Sequence, residues 1–234
     1  MDDDRTSQVD AVAALAEPTR RRLYDHVVRQ PASVSRDEAA TSLDLARTTV
    51  AFHLDRLVDD GLLDVVYERR TGRTGPGAGR PAKLYRRSGW HVAVSLPERH
   101  YDLAGWLLAG AIAEADRSGD PPRTVLDRRA YQLGDELGDT ARAVGGRGGR
   151  DAALEVLEEH GFEPRAEGSG VVLANCPFHA LAQEHTELVC GMNLRLLDGL
   201  LDSLAPTGLA AHLSPSPARC CVRLDPVATP EPGP

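Results

Sequence analysis

The sequence predicts an α+β chain of two domains, an N-terminal helical unit that runs into a β-hairpin and a C-terminal unit of mixed helices and strands. Three observations carry this. The chain has 234 residues, too many for one minimal module and suited to about two domains. Its hydrophobic fraction is 41% but its aromatic fraction only 4%, so the core must be built from Leu, Val and Ala, which favours helices over a β-sandwich. Helix-period segments also alternate with short β-rich segments bounded by Gly and Pro.

The elements follow in order. Residues 2–7 read as frayed and 8–16 as a short helix. Pro18 suits the first turn of a helix over 18–29, since its missing N–H costs nothing there, with Leu23, Val27 and Tyr24 at helical spacing. Ser35 with Glu38 forms a capping box for a helix over 36–42, and LDLA is a tight turn. A helix from Arg47 to Asp60 places Val50, Leu54 and Leu57 on one face, and Gly61 ends it. Leu62 to Tyr67, TGRTGPGAGRP and KLYRR then read as strand, flexible basic tip, strand.

A helix over 97–118 follows, with Pro97 near its first turn and Leu103, Trp106, Leu107 and Ala111 as its apolar stripe. SGDPP breaks it. Helices over 123–144 and 150–160 flank the glycine-rich GGRGG, which lies between helices and is a linker rather than a nucleotide-binding loop. A hairpin over 162–166 and 170–174, helices over 178–185 and 187–204, and strands over 209–213 and 219–224 complete the C-terminal unit. The Pro-rich tail, 226–234, reads as disordered.

The net charge of −8 argues at first against a nucleic-acid partner, but the charge is unevenly spread. Residues 1–90 carry 15 Arg/Lys against 14 Asp/Glu, and residues 91–234 carry 12 against 21. Within 65–90, Arg69, Arg70, Arg73, Arg80, Lys83, Arg86 and Arg87 face one anion, Glu68. A local basic strip of this kind supplies the phosphate contacts that dominate DNA affinity. No run of 18 apolar residues suggests a membrane span, and the acidic N-terminus is unlike a secretory signal. The expectation is a cytoplasmic chain whose Cys residues stay reduced.

Short helix, tight turn, longer helix and hairpin is the order of a winged helix-turn-helix, here over residues 8–90. Its second helix lies in the major groove with its N-terminal residues toward base edges. With Val50, Leu54 and Leu57 buried, the sequence assigns Arg47, Thr48, Thr49, His53 and Arg56 to the exposed face. Arg47 can read guanine bidentately, and Thr48 and Thr49 suit phosphates or a thymine methyl. Arg73, Arg80 and Lys83 of the wing suit phosphate or the minor groove. A plain helical hairpin with a solvated face would show the same helices; the basic, Gly-rich tip at the expected place favours DNA.

EPTRRRLYDHV, LARTTVAFHLDRLVDDGLL and GAGRPAKLYRR resemble the ArsR-like winged-helix regulators, in Thr49, Val50, His53, Leu54, Leu57, Gly61, Leu62, Gly79, Arg80, Pro81 and Tyr85. The resemblance implies a homodimer on a palindromic double-stranded operator. The helix over 97–118 is a candidate linking and dimerisation element, or one packed within its own chain.

Cys176 and Cys190 are separated by thirteen residues, and Cys220 and Cys221 follow after twenty-nine more. No pair has the tight spacing of a zinc ribbon. Any shared site therefore draws on separate elements, with Cys220 and Cys221 on a late strand pointing to opposite faces so that one of them reaches it. Buried packing is the alternative for each, while clustered thiolates select zinc or iron–sulfur. The region 120–225 also resembles the sensor domain of iron–sulfur repressors of cluster-assembly (Suf) operons. That resemblance implies an α/β domain in which Cys176, Cys190 and one of Cys220 and Cys221 hold an iron–sulfur cluster, with His179 or His185 as fourth ligand. Zinc or a small organic effector is the alternative for such a regulator. An enzyme built on a Cys176 thiol–imidazole pair with His179 or His185 is the reading from another class; the sequence favours a non-enzymatic regulator.

Overall fold

The computed structural model describes residues 2–69, 81–146, 148–216 and 219–227, with the side chains of 2–5 excepted. The chain divides into two compact units, Met1–Val94 and Ser95–Pro234.

The first unit opens with α1 (Asp2–Ala14), which begins at Asp2 rather than after a frayed stretch. α2 (Pro18–Val28) is capped by Glu17, whose carboxylate accepts from the backbone N–H groups of Thr19 (3.0 Å) and Arg20 (2.6 Å). Leu23 and Val27 are buried. β1 (Val34–Ser35) leads into α3 (Arg36–Leu43), and the capping box forms as the sequence requires: the Glu38 N–H donates to Ser35 Oγ and the Ser35 N–H to Glu38 Oε2. Asp44 turns the chain in the left-handed region, and α4 (Arg47–Asp59) follows with Val50, Leu54 and Leu57 buried. Gly61, at φ +73°, ends it; a Cβ there would meet the Trp90 ring at 3.1 Å.

β2 (Leu63–Glu68) and β3 (Ala82–Arg87) pair antiparallel from Leu63 opposite Arg87 to Glu68 opposite Ala82. β1 adds to β3 through Val34–Tyr85 and Ser35–Leu84, giving the order β1-β3-β2. Two residues are too few to show an alternating pattern, so β1 was not foreseen. The core gathers Ala11, Leu23, Ala39, Leu54, Leu57 and Leu63 among others.

In the second unit α5 spans Tyr101–Ser118. Pro97 lies outside it. The Arg99 N–H is taken by Ser95 Oγ (2.8 Å) and the His100 N–H by Pro177 O (3.1 Å), so the helix starts later than expected. Its buried stripe is Ala104, Leu107, Ala111 and Ala115. Trp106, expected on that stripe, is 77% exposed. Its ring borders a hollow on the flank of the contact with α6 (Pro122–Gly145), beside Arg129, Leu133 and Glu136.

α7 (Arg150–Glu159), the hairpin of β4 (Pro164–Glu167) and β5 (Gly170–Leu173), α8 (His179–Glu184), α9 (Thr186–Ser203), β6 (Leu209–Leu213) and β7 (Val222–Pro226) follow. The sheet order is β4-β5-β7-β6, and every pairing is antiparallel. The expected α/β domain is therefore an antiparallel sheet with helices. Adjacent parallel strands would each need a crossover, whereas β4 and β5 turn back on each other within two residues. Pro226 pairs with Leu209, so ordered structure reaches further than the expected tail; 228–234 lie outside the described residues.

α6 and α9 form the central helix pair, and they meet backbone to backbone. A Cβ at Gly134 would lie 1.9 Å from Leu196 O, one at Gly199 2.1 Å from Tyr131 O, and one at Gly138 2.7 Å from the Ser203 side chain. Small residues four apart on both helices create this close approach. The surrounding core includes Leu126, Ala130, Met192, Leu197 and Leu200.

Candidate nucleic-acid interface and cysteine site

On α4 the buried stripe fixes what the opposite face can offer. Thr48 and Thr49 are exposed. Arg47 is 66% exposed, with Nη2 2.5 Å from Asp37 Oδ2 on α3. Arg56 is exposed and holds Asp60, its Nε donating to Oδ2 (3.2 Å) and Nη2 lying 3.1 Å from Oδ1. His53, expected on the outer face, is turned inward: its side chain is 12% exposed, with Nδ1 3.6 Å from Glu17 Oε2. At 3.6 residues per turn position 53 falls on the flank of the buried stripe, which accounts for this.

The central outward residue is one the sequence reading passed over. Phe52 is 65% exposed and sets its ring edge-on to His53 at 5.2 Å. A shallow hollow beside it is lined by Arg20, Asp55, Arg56 and Asp59. The signal was present in the helical wheel, but an apolar residue was not counted toward a polar face.

Lys83 on β3 donates to Asp55 Oδ1 (2.5 Å), and the Tyr85 hydroxyl donates to the same oxygen (2.9 Å). The bond to Asp55 raises Lys83 above the ordinary ammonium range. Burial pushes Asp55 upward, but the bonds from Lys83 and Tyr85 outweigh it and hold the carboxyl below its usual value. Lys83 therefore ties β3 to α4. Arg73 and Arg80 lie outside the described residues.

In the second unit the four cysteines come together from three segments. Cys176 follows β5 in a turn fixed by Asn175, whose Nδ2 donates to Gly161 O (2.6 Å) and Glu98 O (3.0 Å); Arg99 bonds Asn175 Oδ1 and reaches Cys176 O (3.3 Å). Cys190 lies on α9, and Cys220 and Cys221 lie just before β7. Cys190 and Cys221 are joined in a disulfide, with Cα atoms 6.2 Å apart. Cys176 and Cys220 are buried free thiols close enough for each to shift the titration of the other. Both Cys220 and Cys221 thus reach the site, correcting the expectation of one. They precede the strand, where alternation does not apply, and each meets a different cysteine.

Asn193, one turn beyond Cys190 and 1% exposed, donates Nδ2–H to Cys220 Sγ (3.2 Å), while its Oδ1 has no partner among the described residues. The Cys220 thiol lowers Cys176 to about 7, helped by the Phe178 N–H and the Arg99 charge and opposed by burial. Cys220 is pushed up, first by Cys176 and then by burial.

His179 opens α8, where its backbone N–H donates to Cys176 O, and His185 is exposed between α8 and α9. The side chain paired with Cys176 is Cys220 rather than an imidazole. Among the described residues no group of three His, Cys, Asp or Glu side chains is arranged to hold a metal ion. Two sulfurs are consumed by the Cys190–Cys221 bond.

A family model described as a helix-turn-helix domain matches residues 15–66, from just after α1 into β2. No curated protein and no solved structure matches the chain. The helix-turn-helix domain supports a DNA-binding transcription regulator. Among the described residues no helix is long and apolar enough to cross a membrane.

Proposed function

We propose that this chain is a transcriptional repressor that binds a palindromic double-stranded operator as a homodimer, with α4 in the major groove and the β2–β3 wing along the flanking backbone. The observation that carries it is the helix-turn-helix match over 15–66, within which α4 leaves Arg47, Thr48, Thr49 and Arg56 exposed. Self-association is supported by the outward side of α5, where Trp106 and Ile112 are exposed beside Ala109 and Ala113. Binding to selected duplexes, read by fluorescence anisotropy at several salt concentrations, tests the DNA reading. Arg47→Ala should cost about 1–3 kcal/mol and relax specificity at one base pair. Light scattering of Trp106→Asp against the native chain tests the dimer.

The control element we assign is the cysteine site. In the reduced chain Cys176, Cys190, Cys220 and Cys221 are the soft donors for an iron–sulfur cluster or, alternatively, for zinc; a coupling of only ~1–3 kcal/mol to DNA affinity is enough to regulate. With Cys190–Cys221 closed the set fits neither. That bond favours a second reading, in which thiol oxidation alone sets DNA affinity.

Anaerobic purification followed by an absorption spectrum and iron, sulfide and zinc analysis separates them. Visible absorbance with stoichiometric iron and sulfide, lost in Cys176→Ala and Cys190→Ala, supports the cluster, and a colourless protein with one zinc supports zinc. A metal-free protein whose DNA affinity responds to reductant supports the disulfide.

A further inference from the structure

We infer that Phe52 is a base-reading residue that recognises the C5-methyl group of a thymine in the major groove. This rests on α4 being the recognition helix.

Three observations lead there. Phe52 points almost directly away from the stripe of Val50, Leu54 and Leu57 that anchors α4, so its ring stands where a groove-bound helix meets the base edges. It is 65% exposed, and burial in the core does not account for a large apolar ring there. Its neighbours also argue against a protein-binding apolar patch: Arg20, Asp55, Arg56 and Asp59 line the hollow beside it, and a contact surface for another protein usually depletes charge at its centre.

The position along the helix agrees. Phe52 is five residues, about 7.5 Å of axial rise, beyond Arg47, near the midpoint of α4 and on the same outward side as Thr48 and Thr49. Asp55 and Asp59 border the same hollow; Asp55 is held by Lys83 and Tyr85, which limits its repulsion of phosphate. Among the features of a base pair in the major groove, the thymine methyl is the one that an apolar ring contacts favourably.

The test is in vitro selection from a random duplex library with the full native chain and with Phe52→Ala and Phe52→Leu, each with and without reductant, followed by uracil replacement at each selected thymine. Uracil lacks only the methyl group. The expected result is one thymine per half-site whose replacement by uracil weakens native binding by roughly threefold to fivefold. Phe52→Ala loses both that thymine preference and the uracil effect, Phe52→Leu keeps part of each, and the salt slope stays unchanged in both because no charge is altered. Melting curves of the variants matching the native chain show that the exposed ring, not the fold, was removed. If Phe52→Ala selects the same site and still distinguishes thymine from uracil, the inference is overturned while the operator-binding function stands. If the native chain enriches no sequence under either condition, the regulator function itself fails and the inference falls with it.

Discussion

Replacing Gly134 by Ala tests whether the backbone contact between α6 and α9 holds the second unit together. The added Cβ would lie 1.9 Å from Leu196 O, 2.8 Å from Leu200 N and 2.9 Å from Leu196 C, all backbone atoms. A carbon rests about 3.3–3.6 Å from a carbonyl oxygen, so the helices must part by roughly 1.5 Å. A gap of even 0.5–1 Å forfeits a quarter to a half of each dispersion contact along the seam. Overpacking with no flexible neighbour to yield costs about 3 kcal/mol, the upper end of the usual range. Alanine returns about 1 kcal/mol of helix propensity, leaving a net loss of about 2 kcal/mol. At about 2–4 °C per kcal/mol for a unit near this size, the melting temperature should fall by roughly 4–8 °C in calorimetry. Gly145→Ala, at the end of the same helix with nothing within 4 Å of the added Cβ, is the control and should be neutral or gain up to about 0.5 kcal/mol. If Gly134→Ala melts at or above the native temperature, the close approach of α6 and α9 is not what the glycines provide.

The remaining expectations concern both units. Ser35→Ala removes the acceptor for the Glu38 N–H and should cost about 1 kcal/mol in urea unfolding. Leu54→Ala empties a fully buried position beneath α4 and should cost about 2–5 kcal/mol, abolishing DNA binding before unfolding is complete. Thiolate absorbance of the unreduced chain should rise with a midpoint near the value of about 7 reached by Cys176, and Cys176→Ala should remove that step. A folded pKa below the unfolded one means that this thiolate contributes stability above the ordinary thiol pKa, stability that is lost as pH falls through about 7. Glu17, lowered chiefly by the backbone N–H of Thr19, follows the same sign at acid pH: α2 loses its cap as the carboxyl protonates.

What the sequence made legible was local. The capping box at Ser35, the buried triplet of α4 and the glycine at 61 are statements about a few adjacent residues, and the chain obeys them. What it hid depended on partners far along the chain. Trp106 looked like core because it is large and apolar, yet it lies on the flank of the buried stripe of Ala104, Leu107, Ala111 and Ala115 and stays exposed. Phe52 was overlooked for the converse reason, an apolar side chain on a face expected to be polar. The four-residue spacing of Gly134 and Gly138, and of Gly199 and Ser203, was present in the sequence but became a seam only once α6 and α9 were brought together. At the cysteines, spacing suggested a common site but could not give the pairing, which depends on a turn ending just before β7.

The glycine seam also determines how the second unit can move. α9 carries Cys190 near its start and Gly199 about 13 Å further along its axis. Sliding α9 by one turn, about 5.4 Å, would bring Leu196 or Ser203 to positions that the α6 backbone leaves open only to glycine. Translation is therefore blocked, whereas rotation of the two helices together is not. A change in bonding at Cys190 therefore cannot be absorbed by one-turn slippage between α6 and α9.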